Sequence, residues 1–306
     1  LRIYNTRQVL TVGLLNGFQR ARINGRAEFL CAMTPGIRFM LYSVFSFALM
    51  QLCVKFLKHI PAPELVLFRS LITLVLSYAI IFRKRLKPFG NNKKFLWLRG
   101  IFGTIALTLY FFTLQRMPIA TAAVLQYLSP IFTAVFGIWL LKERIRPLQW
   151  LFFALAFVGV WLIKGAEGVP FWWVVAGVVS AIFAGLAYNC IRILRHTDVP
   201  VVIVFYFPLV ALPVTAVMSY FDWAWPVGID WLYILAMGIF TQFGQIYMTK
   251  SLHAEKANTV SMIKYTGIFY ALGFDFFLFG VMYSPLTFVG MAMVLAGVVL
   301  NVIRKD

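Results

Sequence analysis

Negative charge is scarce in this sequence: 306 residues hold 10 Asp and Glu against 28 Lys and Arg, and charged residues make up only 12%. That is too little polar surface to cover a water-soluble body of this length. Histidine and cysteine are scarcer still, at three each. His59, His196 and His253 fall at the ends of apolar runs or in loops. Cys31, Cys53 and Cys190 have no paired spacing and no ligand partners nearby, so they read as packing residues. No metal and no cofactor is expected. A Gly-rich phosphate loop following a strand is missing, as is a nucleophile set beside a base, which argues against a membrane enzyme. Also missing are the short alternating segments of a transmembrane barrel.

What the chain does have is apolar residues, 62% of the total. They fall in runs of about 20 residues, each long enough as a helix to cross a hydrocarbon core roughly 30 Å thick. The runs are 37–58, 63–82, 95–115, 118–142, 147–164, 171–193, 199–221, 231–252, 257–281 and 284–303. The expectation is an all-α integral membrane protein with ten transmembrane helices.

The net charge of +18 has a topological meaning. With the N-terminus in the cytosol, the inner side collects the arginines of residues 1–38, the loop RKRLKPFGNNKK, and the basic residues at 142–146, 192–195, 250–256 and 304–305. The outer side holds Lys55, Lys58, Arg116 and Lys164. This asymmetry is the positive-inside rule; it puts both termini in the cytosol and favours an inner-membrane, multi-pass protein over a nucleic-acid binder. Residues 1–32, Arg-rich and poor in acid and serine, read as a disordered or surface-lying arm, and Met33 looks like a start of its own.

The chain contains a repeat. Ser43 falls on Ser180, Gln51 on Tyr188, Lys55 on Arg192, Tyr110 on Tyr247 and Ala120 on Ala257, all at one constant offset. The domains expected are a first five-helix repeat over 36–164 and a second over 171–304. An odd number of spans makes successive copies enter from opposite sides, so the repeats are inverted. Such pairs build alternating-access carriers with the site near the midplane. Arg99, Gly100 and Gly103, and the stripe Gly177, Ala181 and Gly185, mark close helix approaches, Arg99 being read as an inner-face anchor. Trp172, Trp173, Trp223, Trp225 and Trp231 read as an interfacial belt, and loop 83–94 as a flexible connection.

The pieces ELVLFRS, LRGIFGTIALTLYFFTLQRMPIATAAVLQYLSPIF, LLKERIRPLQW and YMTKSLHAEKANTVSMIKYTGIFYALG occur in an order and spacing that resemble the EamA-type branch of the drug/metabolite transporter superfamily, over residues 36–303. The resemblance implies ten helices in two inverted repeats and small metabolites as cargo. The chain departs from the family at one point. Glu143 supplies the acid of a glycine-glutamate pair in the first half, whereas Val281 follows Gly280 in the second.

Polar groups that are costly to bury in lipid are the candidate site residues. Lys264, beside Tyr265 and at the half-repeat position of Tyr127, either snorkels to the cytosolic surface or anchors an anionic group of the cargo. Asp275 either titrates with a coupling proton or caps a neighbouring helix. Lys55 and Arg192 form a repeat-related pair, as gating residues or as helix-end anchors. Tyr188, Asn189 and Arg192 share a helical face. Tyr110, Tyr247, Gln51, Gln126 and Tyr127 offer neutral hydrogen bonds, with Gln115 and Gln245. Glu64 and Arg69 read as tying helices together.

Several cations and one deep carboxylate favour an anionic or zwitterionic cargo, such as an amino acid or organic acid. The reading is a secondary transporter, an exporter, working by alternating access as a monomer or weak dimer, with proton coupling open. The alternatives are a facilitative exchanger or importer of nucleotide sugars or phosphorylated metabolites and, behind these, a channel.

Overall fold

The computed structural model describes residues 34–142, 147–255 and 263–303. The arm 1–32 and Glu143 lie outside the described residues. Regular structure among those described is helical: α1 (Pro35–Phe56), α2 (Ala62–Arg83), α3 (Lys93–Arg116), α4 (Ile119–Gln126), α5 (Ser129–Leu140), α6 (Pro147–Glu167), α7 (Phe171–Leu194), α8 (Pro200–Tyr220), α9 (Asp230–Ala254), α10 (Gly267–Phe279) and α11 (Pro285–Ile303).

Proline sets most of the starts. Pro35, Pro63, Pro130 and Pro200 occupy the first or second helical position, and Pro61, Pro118 and Pro170 are N-caps. The missing N–H costs nothing there, because the first turn of a helix has no acceptor for it anyway.

Counting α4 and α5 as one span, seven helices among the described residues are long and apolar enough to cross a membrane; α10 and the apolar part of α11 are shorter. The 25-residue α9 carries Thr241, Gln242, Gln245, Thr249 and Lys250, which lower its apolarity. Trp172, Trp223, Trp225 and Trp231 are exposed, as is the apolar surface at Phe82, Trp139, Trp161 and Phe277, an exterior suited to lipid.

One predicted span is broken. Hydropathy joins 118–142 into a single helix, but α4 ends at Gln126 and α5 begins at Ser129, around a turn at Tyr127 and Leu128. Pro130 has no N–H to continue the ladder. In the second half the break comes at Tyr265 and Thr266, just before α10; the start of the predicted span 257–281 lies outside the described residues.

The two halves exchange contacts. α1 packs against α9 and α7 against α3; α2 packs against α8 and α6 against α11. Side chains repeat the pattern: Ser43 Oγ donates to the Gly244 carbonyl at 2.8 Å, and Ser180 Oγ donates to the Ala106 carbonyl at 2.7 Å. Gly100 in α3 meets Val210 of α8, and Gly238 in α9 meets Ile72 of α2. Reciprocal contacts of this kind are the geometry of an approximate two-fold axis.

These contacts correct the predicted register. Ser43 and Ser180 keep the sequence offset, but Gly100 with Gly238 and Ala106 with Gly244 are spaced one residue further apart. The turns follow the same longer offset, since the Leu128 amide donates to Leu125 and the Thr266 amide to Ile263. Tyr127 is therefore matched by Tyr265, and Lys264 by Gln126. The rings of Tyr127 and Tyr265 meet edge to face, centroids 5.3 Å apart.

Loop 83–94 is tied down, contrary to expectation. The Asn91 amide donates to Asp198 Oδ1 at 2.6 Å, the Asn92 amide to Oδ2 at 3.2 Å, and Tyr206 Oη to the Phe89 carbonyl at 2.9 Å. Gly90 turns the chain at φ +53°, where a side chain would also strike Asp198 and Leu96.

Candidate functional site

Where the halves meet, α1, α3 and α4 of the first enclose a cavity of about 120 Å³ with α7, α8, α9 and α10 of the second. Gln51, Tyr110, Gln126, Tyr127, Tyr188 and Lys264, six of the nine residues proposed from the sequence as cargo contacts, are among those that line it. Apolar wall comes from Val44, Phe47, Leu107, Phe207 and Met248, and small residues such as Gly103, Ala123, Ala184 and Gly267 keep the space open.

Lys264 is held inside. Its Nζ donates to Tyr188 Oη at 2.9 Å and to Ser129 Oγ at 3.4 Å, and stands 4.6 Å from the centre of the Tyr188 ring. The turn before α10 aims the side chain inward, so the surface-snorkelling alternative is not the observed geometry. Gln126, its counterpart, accepts from Ser180 Oγ at 3.0 Å. The broken helices thus bring one amide and one ammonium to matching places in the wall.

Three candidates stand elsewhere. Tyr247 packs with Phe39, Tyr42 and Phe243 and lies under Lys250, outside the lining; its predicted symmetry mate Tyr110 is matched by Met248, because of the one-residue register shift. Tyr265 lies behind the wall against Tyr127. Asn189 Nδ2 donates to the Thr133 carbonyl at 3.0 Å, and its Oδ1 accepts from Arg192 Nη1 at 3.2 Å, which makes it a tie between α7 and α5.

Of the predicted gating and coupling residues, Lys55 and Asp275 sit at helix ends, while Arg192 bonds Asn189 on its own helix. Lys55 Nζ donates to the carbonyls of Met117 at 2.7 Å and Leu114 at 3.3 Å, a cation on the negative end of α3. Asp275, fully buried, accepts from the amides of Ile119 at 3.0 Å and Ala120 at 2.7 Å, and from Tyr283 Oη. It is the anion on the positive end of α4. Lys55 and Asp275 together bracket the turn Arg116-Met117-Pro118, and neither lines the cavity. Glu64 and Arg69 do not pair: Glu64 Oε2 accepts from the Ala224 amide at 2.9 Å, and Arg69 Nε donates to Thr241 Oγ1 at 3.2 Å. Gln115 holds the Ile60 carbonyl at 2.7 Å.

The sequence reading missed Arg99. It is an inner-face anchor in that reading, yet its side chain is 3% exposed and reaches the cavity, with Nη2 donating to Gln245 Oε1 at 3.2 Å. The available signal is Gly103, one turn on: a Cβ there would stand 2.1 Å from Arg99 Nη1, so the glycine leaves the guanidinium its room. The described lining holds two cations and no carboxylate. Amides, phenols and aromatic faces complete it, a surface suited to a small organic anion or zwitterion. Among the described residues no group of three metal-ligating side chains occurs.

Comparison with known proteins adds an independent line. The EamA-like transporter family profile matches twice, over residues 34–165 and 171–303. The pseudopaline exporter CntI of Pseudomonas aeruginosa is 29% identical over 89% of this chain and 98% of its own. Human solute carrier family 35 member G1 is 30% identical over 88% of this chain and 79% of its own. The aromatic amino acid exporter YddG of Ancylobacter novellus is 27% identical over 47% of this chain and 53% of its own. A solved crystal structure superposes with a TM-score of 0.66 at 17% identity, covering 88% of this chain and 97% of its own, a likeness of fold.

Proposed function

The chain belongs to the EamA-like transporter family, a multi-pass membrane protein and not an enzyme, and from that premise we propose that it exports a small anionic or zwitterionic metabolite, such as an amino acid or organic acid, by alternating access. Ten spans in two inverted five-helix repeats, with both termini on the cytosolic side of the inner membrane, give the cavity two symmetry-related routes, one to each face. The single observation that carries the reading is the ammonium of Lys264, fixed by Tyr188 and Ser129 in the wall between the repeats, with no carboxylate among the described lining residues. A carrier of cationic cargo needs the opposite sign there. The export direction rests on the relatives named as exporters.

The test is thermal unfolding of the purified protein across anionic, zwitterionic, neutral and cationic metabolites, with Lys264→Gln in parallel. A ligand at about 100 times its dissociation constant adds roughly 2.7 kcal/mol, well within reach of the method. Anions and zwitterions are expected to stabilise the native chain. Lys264→Gln is expected to weaken them at least tenfold, about 1.4 kcal/mol, while the fold is kept. Stabilisation by cations, unchanged in the variant, would sink the reading.

A further inference from the structure

Arg99 is less well served than Lys264. Beyond the one bond to Gln245, its Nε and Nη1 are buried with no acceptor. The guanidinium carbon stands 5.5 Å from the centre of the Phe207 ring. A second guanidinium shares that ring: Arg69, 1% exposed, lies 4.7 Å from the centroid, and its Nη1 has no acceptor either. Among the described residues no carboxylate lies within ion-pair distance of Arg69 or Arg99, and the ion pair found there is His59 with Asp230, at 3.0 Å.

Two buried, acid-free guanidiniums on one ring are poor stabilisers. Ring faces and neutral oxygens compensate only part of the lost hydration, and an apolar side chain of similar volume would serve the fold better. Arg99 also differs from Arg69 in lining the cavity. A planar guanidinium with open donors in a partly apolar pocket is the arrangement that takes a carboxylate. The two cations are held by different partners. Lys264 is held by Tyr188 of α7 and Ser129 of α5, while Arg99 is held by Gln245 of α9 against Phe207 of α8.

We infer that Arg99 is a second anion-binding residue of the cavity, and that the cargo therefore carries two negatively charged groups, one for Lys264 and one for Arg99. The inference rests on the cavity being the transport site. It narrows the substrate class from anions and zwitterions in general to molecules with two acidic groups.

The experiment uses the full chain in detergent and linear dicarboxylates of four to six carbons, each beside its monoamide, with thermal unfolding as the readout. In the native chain one dicarboxylate is expected to bind at least tenfold more tightly than its monoamide. Arg99→Gln is expected to erase that ratio by weakening the diacid alone. The unliganded melting temperature of Arg99→Gln should not fall, because an uncompensated buried charge has been removed. Gly103→Ala keeps the charge but pushes a methyl into the guanidinium, and should reduce the same ratio even if Arg99→Gln does not fold.

Equal binding of diacid and monoamide in the native chain overturns the second pole and leaves the anion-transport reading standing. So does a ratio untouched by Arg99→Gln and Gly103→Ala. A lowered melting temperature with both ligands weakened equally makes Arg99 a structural residue and also overturns the inference. No stabilisation by any anion in the native chain removes both readings together.

Discussion

At the scale of single residues, the same chemistry in the sequence finds opposite uses in the fold. Asp275 is the deep carboxylate that a proton-coupled carrier would need, and Lys264 is a lysine shallow enough to reach the surface. Tertiary structure commits Asp275 to two amides of α4 and a phenol, and turns Lys264 into the cavity. Spacing along the chain distinguishes neither case, because both depend on where α4 and α7 lie. Asp275→Asn keeps one acceptor but loses charge-assisted bonds to the end of α4. It is expected to lower stability by about 1–3 kcal/mol in denaturant or thermal unfolding, with whatever pH dependence transport shows in the native chain retained. Loss of that pH dependence at unchanged stability would make Asp275 a coupling residue instead.

At the scale of elements, hydropathy locates helices and overlooks their breaks. The run 118–142 is apolar throughout, so it reads as one span; Pro130 is the only local sign that the ladder stops, and the turn at Tyr127 and Leu128 is what delivers Tyr127 to the cavity. The pairing of α6 with α11 has a clearer sequence signal in its glycines. A Cβ on Gly159 would stand 2.5 Å from the Gly290 carbonyl oxygen, and one on Gly290 would stand 2.8 Å from that of Gly159. Backbone cannot yield as a flexible side chain does, so the helices must separate. Gly159→Leu is expected to cost about 1–3 kcal/mol by overpacking, measured as a lower melting temperature with ligand affinity kept, since neither helix lines the cavity. A melting temperature equal to that of the native chain would mean the crossing is not tight.

At the scale of the whole molecule, each half completes the other. α1 finds its main partner in α9 and α7 in α3, and the acid that caps α4 of the first half comes from α10 of the second. A chain cut at Gly168, in the turn between α6 and α7, is therefore expected to yield halves that are unstable alone and copurify one to one when expressed together, with ligand stabilisation restored. A first half that is monodisperse and melts cooperatively on its own would contradict this.

The sequence by itself determined that this chain lives in a membrane, that it is helical, and that it is built twice. Those properties follow from apolar runs, from charge asymmetry and from a repeat, all of which are sums along the chain. It also pointed to six of the cavity residues, because polar groups inside apolar spans are costly wherever they end up. Only the tertiary structure decided the register of the two halves, the exclusion of Tyr247 from the cavity, the use of Lys55 and Asp275 as helix caps, and the entry of Arg99. The physical reason is common to these four. A single inserted residue turns a helix by about 100°, and the direction in which a side chain then points is set by its neighbours in space, which the linear order does not record.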